Sequence, residues 1–363
     1  MFRKEKIYHF SQIDLWLVLF AAYLWLSNFL INNNPAWGML SCMNYLRSLA
    51  CYFIVVFLIT DAKKIRLLVI AYVLASLGIV LTTNPLEAVE TGLKFVASAR
   101  QGLTGLADTY IFYGLYALMS IPLAYAMFKC TARKTFKIIF GLIILTLSVA
   151  TLFSGSRGAV VSYVITMISI IVVEARSNKQ STVASTALLF IVSVGLLTLF
   201  WIKGGRYILS TLVTVGGQGM DASMAGRLSF QKAAFSQFLS HPVFGIGIDA
   251  FKYSTLEHVP HNQWLQILTE LGLVGLMISG AMTWVIFRAL LSARSVANHL
   301  GDPKMASIIN GVVISIFVLL FWGLYENIGY ISVQKVLFML IGLARSIETY
   351  MRKQTLKQAK MII

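Results

Sequence analysis

His261 and Asn262 stand nine residues ahead of Gly272-Leu-Val-Gly275, at the point where a polar loop enters a long apolar run. A histidine at the mouth of a membrane span can trade protons with water while it faces a substrate carried by lipid, which is the position a general base would need. Three arginines accompany it in other loops: Arg100, Arg157 within Ser154-Gly155-Ser156-Arg157-Gly158, and Arg227 after Gly226. The guanidinium is a permanently charged planar fork that takes phosphate oxygens two at a time. A base beside such forks suits a transfer in which a hydroxyl attacks and a phosphate-bearing group departs. His258, just ahead of His261, and Asn262 join them as candidate substrate contacts. Arg47, about eight residues into an apolar run, is costly in hydrocarbon and should face the interior of a helix bundle, toward a buried partner or the substrate. At each arginine a plainer use stays open, pairing with lipid headgroups or with Glu87, Glu90 or Glu326.

The elements that must hold these groups are set by composition. With 58% hydrophobic and 12% charged residues over 363 positions, and a mean hydropathy of +0.78, the chain has more apolar surface than one soluble core can hide. It is expected to be an all-α polytopic membrane protein of about 10 to 12 transmembrane helices, each span needing roughly 20 apolar residues. Ten spans are placed near 13–31, 39–60, 65–82, 110–128, 137–153, 158–173, 184–201, 264–287, 306–323 and 329–345.

The net charge of +16 invites a nucleic-acid partner, and the span pattern removes that reading. With Met1-Phe2-Arg3-Lys4-Glu5-Lys6 in the cytoplasm, most of the 30 Lys and Arg residues fall at the cytoplasmic ends of the spans. That is the inside-positive bias of an inner-membrane protein with both termini cytoplasmic. The first span runs into Asn32-Asn33-Asn34-Pro35 without a small-residue cleavage pattern and reads as a retained anchor. Cys42, Cys51 and Cys130 form neither a disulfide framework nor a metal spacing.

The chain divides into residues 1–201 with seven spans, an outer loop at 202–263, and residues 264–363 with three spans and a cytoplasmic tail. A shorter outer loop at 83–109 carries Leu86, Val89, Leu93 and Val96 at helical spacing, the pattern of a helix lying in the membrane interface. In the larger loop Asp221 is placed to cap a lid helix bearing Leu228, Phe235, Phe238 and Leu239, ended by His241-Pro242. Pro242-Val-Phe-Gly245-Ile-Gly247 is read as a turn or as a backbone cradle for phosphate. On a straight helix Gly272 and Gly275 fall below His261 and form a stripe for close helix approach, while Glu270 points away from that histidine.

Taken in order, these motifs resemble the O-antigen ligase and polymerase superfamily. The residues that carry the resemblance are Arg100 with Gly102 and Gly105, Ser156-Arg157-Gly158, Gly226-Arg227, His241 through Gly247, and His261-Asn262 with Gly272 and Gly275. The histidine, asparagine and G-x-x-G spacing look most like the ligase branch. The resemblance implies a glycosyltransferase C-like helical fold with one large periplasmic loop. It further implies transfer of a polysaccharide from undecaprenyl diphosphate to the lipid A core, at the periplasmic face, with inversion and with no metal or nucleotide cofactor. His261, Arg157 and Arg227 would be the catalytic set, and Arg100, Arg47, His258 and Asn262 the substrate contacts. Membrane lipids, the carrier-linked donor and the lipid A core are the implied partners. A polymerase extending carrier-linked chains is the alternative. A transporter fits less well, because the polar cluster lies on one face instead of near the bilayer midplane. Asp108 departs from the family pattern, where asparagine is usual, and ten spans fall short of the family's more common twelve or so.

Overall fold

The computed structural model describes residues 9–82, 110–154, 157–176, 222–254, 259–327 and 331–362, and every regular element among them is helical. In chain order these are α1 (Gln12–Leu30), α2 (Pro35–Leu58), α3 (Ala62–Thr82), α4 (Tyr110–Cys130), α5 (Lys134–Phe153), α6 (Arg157–Ala175), α7 (Ala222–Ser240), α8 (Ala250–Ser254), α9 (Gln263–His299), α10 (Pro303–Trp322) and α11 (Ile331–Ile362). Seven of them (α1, α2, α3, α5, α6, α9 and α10) are long and apolar enough to cross a membrane, so the protein is a polytopic membrane protein. Every expected span falls on one of these eleven helices except 184–201, which lies outside the described residues, as do 83–109 and Asp221.

Local sequence explains where several helices begin. Ser11 and Asp14 form a reciprocal capping box at the start of α1, the Ser11 N–H donating to Asp14 Oδ2 at 2.6 Å and the Asp14 N–H to Ser11 Oγ at 3.3 Å. Asn34-Pro35 and Asp302-Pro303 open α2 and α10, with a side-chain cap followed by proline at the first helical position. Two helices differ from expectation in length. α9 continues to His299, well past 287, and α11 runs on beyond 345 with Arg352, Lys353, Lys357 and Lys360 in its later turns.

α4 sits at the centre of one group, packed on α3, α5, α6 and α10, and nearly all of its described side chains are buried. α1, α2, α9 and α11 form a second group, joined to the first through α10. The charged clusters occupy the two ends of this bundle. At one end Arg345, 7% exposed, reaches Asp14 across 3.5 Å and donates to the His9 carbonyl at 2.6 Å, and Asp14 accepts a further bond from the Tyr52 hydroxyl. Lys129 and Glu174 pair there too, at 2.7 Å.

Arg345 therefore fastens α1 to α11 with a buried charge. Its replacement by methionine takes that charge away from the fully buried Asp14 carboxylate, a loss on the order of 3–5 kcal/mol. We expect a clearly lowered Tm for Arg345→Met in detergent, partly restored by adding Asp14→Asn. An unchanged Tm in the single variant would refute the assignment.

Candidate active site

The other end of the bundle gathers the residues with chemistry. Asn262 caps α9, its Oδ1 accepting from the N–H groups of Trp264 (3.1 Å) and Leu265 (3.0 Å), so α9 starts one residue after it. His261 lies outside the helix with φ +49°, a left-handed conformation that a residue with a Cβ adopts at some cost. Two bonds tie this entry to the end of α10. Gln263 N–H donates to the Gly323 carbonyl at 2.7 Å, and the Trp264 indole to the Leu320 carbonyl at 3.2 Å. Past Trp322, a turn brings Glu326 back toward α9, its N–H bonded to the Trp322 carbonyl at 3.1 Å.

Glu326 is the hub. Its Oε2 is 2.9 Å from His261 Nδ1 and its Oε1 accepts from Arg227 Nη2 at 2.6 Å, while Arg227 Nη1 donates to the Tyr325 carbonyl at 3.2 Å. The carboxylate is 7% exposed, against 28% for the imidazole and 35% for the guanidinium, so charge is concentrated on a buried acceptor between two more accessible groups. A carboxylate only accepts, which places a proton on His261 Nδ1, so that in the neutral ring the lone pair is on Nε2. That is the tautomer a base requires.

The same helix that carries Arg227, α7, crosses α9 through Ala234, whose carbonyl accepts from Thr269 Oγ1 at 3.0 Å. Leu228, Phe235 and Leu239 are exposed on its outer side. After α7 ends, the 242–247 loop inserts into a break in α9. At Gly272 the backbone has φ +65° and ψ −165°, and the helix is interrupted. Four of the groups released by the break are recovered by the loop. Ile246 and Gly247 N–H donate to the carbonyls of Thr269 (3.0 Å) and Glu270 (2.9 Å), and Leu273 and Val274 N–H donate to those of Pro242 (2.9 Å) and Val243 (3.1 Å). Tyr23 of α1 adds its hydroxyl to the Leu271 carbonyl at 2.7 Å.

One expectation fails at this point, and of the two readings of the 242–247 loop the turn is the one that holds. Gly272 and Gly275 do not continue a straight stripe below His261, because His261 precedes the helix and Gly272 breaks it. The 242–247 loop is no phosphate cradle: the N–H groups of Gly245, Ile246 and Gly247 are all bonded to protein carbonyls. Gly245 serves close contact with the α9 backbone at Glu270 and Leu271, and Gly247 with the backbone of Asn32 after α1.

Beside the break lies a second polar network. Gln266 donates to Glu270 Oε1 at 3.2 Å and accepts from Asn327, the residue after the hub. Asp249, between α7 and α8, accepts from Ser41 of α2, and burial pushes its carboxyl above the usual range against the opposing pull of that hydroxyl and of Lys252.

Of the sequence candidates, His261 and Arg227 meet at Glu326, and Asn262 positions the entry to α9. Arg157 opens α6 at the same end of the bundle as His261; its side chain, and Arg100 and His258 entirely, lie outside the described residues. Arg47 corrects an expectation. It is exposed on α2 and donates to Asn44 Oδ1 at 3.1 Å, because the buried stripe of that helix runs through Cys42, Tyr45, Ser48 and Tyr52 and passes it by. Glu326 was missed as a partner of the histidine. The signal available was a lone acid in the short turn before the last apolar segment, on the side where the arginines gather.

Residues 142–279 match the family described as O-antigen ligase. The chain carries an O-antigen ligase family domain. The matched stretch runs from within α5 to the middle of α9 and includes Arg157, Arg227, the 242–247 loop, His261 and the α9 break, while Glu326 lies beyond it. No curated protein matches the chain. The O-antigen ligase domain and the membrane-spanning helices together make this a membrane enzyme of the ligase and polymerase type, one that handles polyprenyl-linked glycans.

Proposed function

We propose that the protein is an O-antigen ligase that moves a finished polysaccharide from undecaprenyl diphosphate onto a sugar of the lipid A core, at the periplasmic face of the bacterial inner membrane. The observation that carries the reading is the His261–Glu326–Arg227 constellation inside and beside the family domain. His261 Nε2 takes the proton of the acceptor hydroxyl, the oxygen attacks the anomeric carbon, the bond from that carbon to the diphosphate oxygen breaks, and the centre inverts. Glu326 holds the ring and balances the imidazolium that forms.

The two donors of Arg227 already committed to Glu326 and Tyr325 make it first an anchor for the carboxylate and for α7. Arg157 is assigned to the departing diphosphate, with Arg100, His258 and Asn262 as further contacts. Arg47 is exposed off the buried stripe of α2 and is given no contact with the donor. A diphosphate leaves readily, so the protein's contribution is placement and charge stabilisation, with no metal required.

Purified protein is tested with carrier-linked donor, with and without lipid A core. Polymer joined to core only when core is supplied, in the presence of chelator, is the expected result. Lengthening of the carrier-linked chain without core would make it a polymerase, and activity lost in chelator and restored by a divalent ion would overturn the metal-free mechanism.

A further inference from the structure

α7 has two ends with different chemistry. Arg227 binds the hub near one end; about 15 Å further along the axis, at 1.5 Å per residue, Gln237 borders a cleft of about 330 Å³. Asn33, Trp37, Ser236, Gln237, Ser240 and His241 line it, with Ser254 of α8 across from Gln237. Besides Ile246 and Ala250, the lining holds amides, hydroxyls, one imidazole and an indole, and neither a carboxylate nor an arginine. That inventory does not suit a diphosphate. It suits a polar, uncharged ligand rich in hydroxyl groups.

Two observations point to an occupant. Gln237 Oε1 is buried and has no hydrogen-bond partner among the described residues, although its Nε2 reaches Ser254 Oγ at 3.5 Å. An unmet buried acceptor costs folding free energy unless a ligand or water satisfies it. Trp37 stacks on Tyr253 with ring centroids 5.3 Å apart and planes 15° from parallel, which holds the indole in one orientation at the wall. The negative face of an aromatic ring attracts the C–H face of a sugar, and the neighbouring amides and hydroxyls match its rim.

The wall is also fixed in place before any ligand arrives. Asn32 Nδ2 donates to the Ile248 carbonyl at 2.8 Å, Ser41 bonds Asp249, and Ile246 is tied to α9. A Cβ on Gly38 would lie 2.4 Å from Ile248 Cγ2, so α2 and the loop touch without room to slide. Volumes of roughly 300–1,000 Å³ with a few fixed polar groups are those of small-molecule sites.

We propose that this cleft is a sugar subsite, holding one ring of a glycan substrate at a distance from the His261 centre; its role in transfer rests on the ligase reading above. Two glycans share the chemistry, the core acceptor and the donor polymer.

The test uses full-length protein in nanodiscs with two probes, core oligosaccharide freed of lipid A and polysaccharide freed of its carrier, measured by calorimetry and by transfer kinetics. Gln237→Met keeps the side chain's shape, removes the acceptor the fold does not use and gives up only the long Nε2 contact to Ser254 on an exposed edge, so its Tm should fall little. We expect it to weaken binding of one probe about tenfold, the scale of one lost hydrogen bond, and to raise KM for the matching substrate with kcat unchanged. Trp37→Leu should act on the same probe. A rise confined to the core substrate places the acceptor there, and one confined to the donor places the polymer there. Normal binding of both probes and normal KM values in both variants would overturn the subsite and leave the ligase reading standing. Binding by wild-type protein that the variants lose, without transfer to core under any condition, would sink the ligase reading and leave the subsite.

Discussion

His261→Ala should stop polymer attachment to lipid A core while the protein's amount in the membrane stays at the wild-type level. A positioned base contributes about 10²- to 10⁴-fold to a proton transfer, and a loss of that size removes the ladder of polymer-bearing lipopolysaccharide on a gel. The ring is more than a quarter exposed and stands outside α9, so its removal opens no core cavity. Glu326→Gln sharpens the test. An amide can offer an N–H to His261 Nδ1, which would move the ring proton to Nε2 and spoil the base, and a carboxylate-to-amide change beside a catalytic histidine is worth up to about 10⁴-fold by that route. The amide also weakens the hold on Arg227, so a fall in kcat of about 100-fold or more with Tm nearly unchanged is the outcome that separates tautomer control from simple anchoring. A full polymer ladder in the His261→Ala strain would reject the base, and an unaltered kcat in Glu326→Gln would reject its orienting role.

How far the site could be read in advance depended on the range of the interactions involved. Span positions were legible because hydrocarbon demands long apolar runs, and caps such as Asn262 and Asp302-Pro303 act within a few residues. The gathering of His261, Arg227 and the start of α6 at one end follows from counting crossings. Glu326 could not be paired with His261 in the same way, since 65 residues separate them and only the packing of α9 on α10 closes the gap. It could be named only as a possible partner for an arginine, which it also is. The failures have two causes. Placing Gly272 and Gly275 in one stripe below His261 assumed an unbroken helix, whereas the carbonyls of Thr269 and Glu270 are taken by the 242–247 loop. Nothing local announces such an exchange of hydrogen bonds. Arg47 was sent inward by its charge alone, although the stripe of buried side chains on α2 already excluded it.

That exchange makes the second large effect a structural one, at Gly272. A Cβ there would sit 2.3 Å from the Val243 carbonyl oxygen and 2.6 Å from Gly245 N, both backbone atoms that cannot rotate away. Its φ of +65° with ψ of −165° is a region open essentially to glycine, costing on the order of 1–3 kcal/mol for any other residue before the clash is counted. Gly272→Ala must therefore expel the loop from the break, and with it the four bonds that replace the missing helical pair. Since α7 enters that loop directly, the position of Arg227 against Glu326 should be lost too. We expect Gly272→Ala protein either to fail to accumulate or to show a lowered Tm with no transfer. Gly280→Ala in the same helix is the control: a Cβ there meets nothing within 4 Å, and alanine favours a helix interior by up to about 1 kcal/mol, so Tm should hold or rise slightly. Equal tolerance at both positions would mean that α9 runs straight past the loop, and the register that brings His261 to Glu326 would need another explanation.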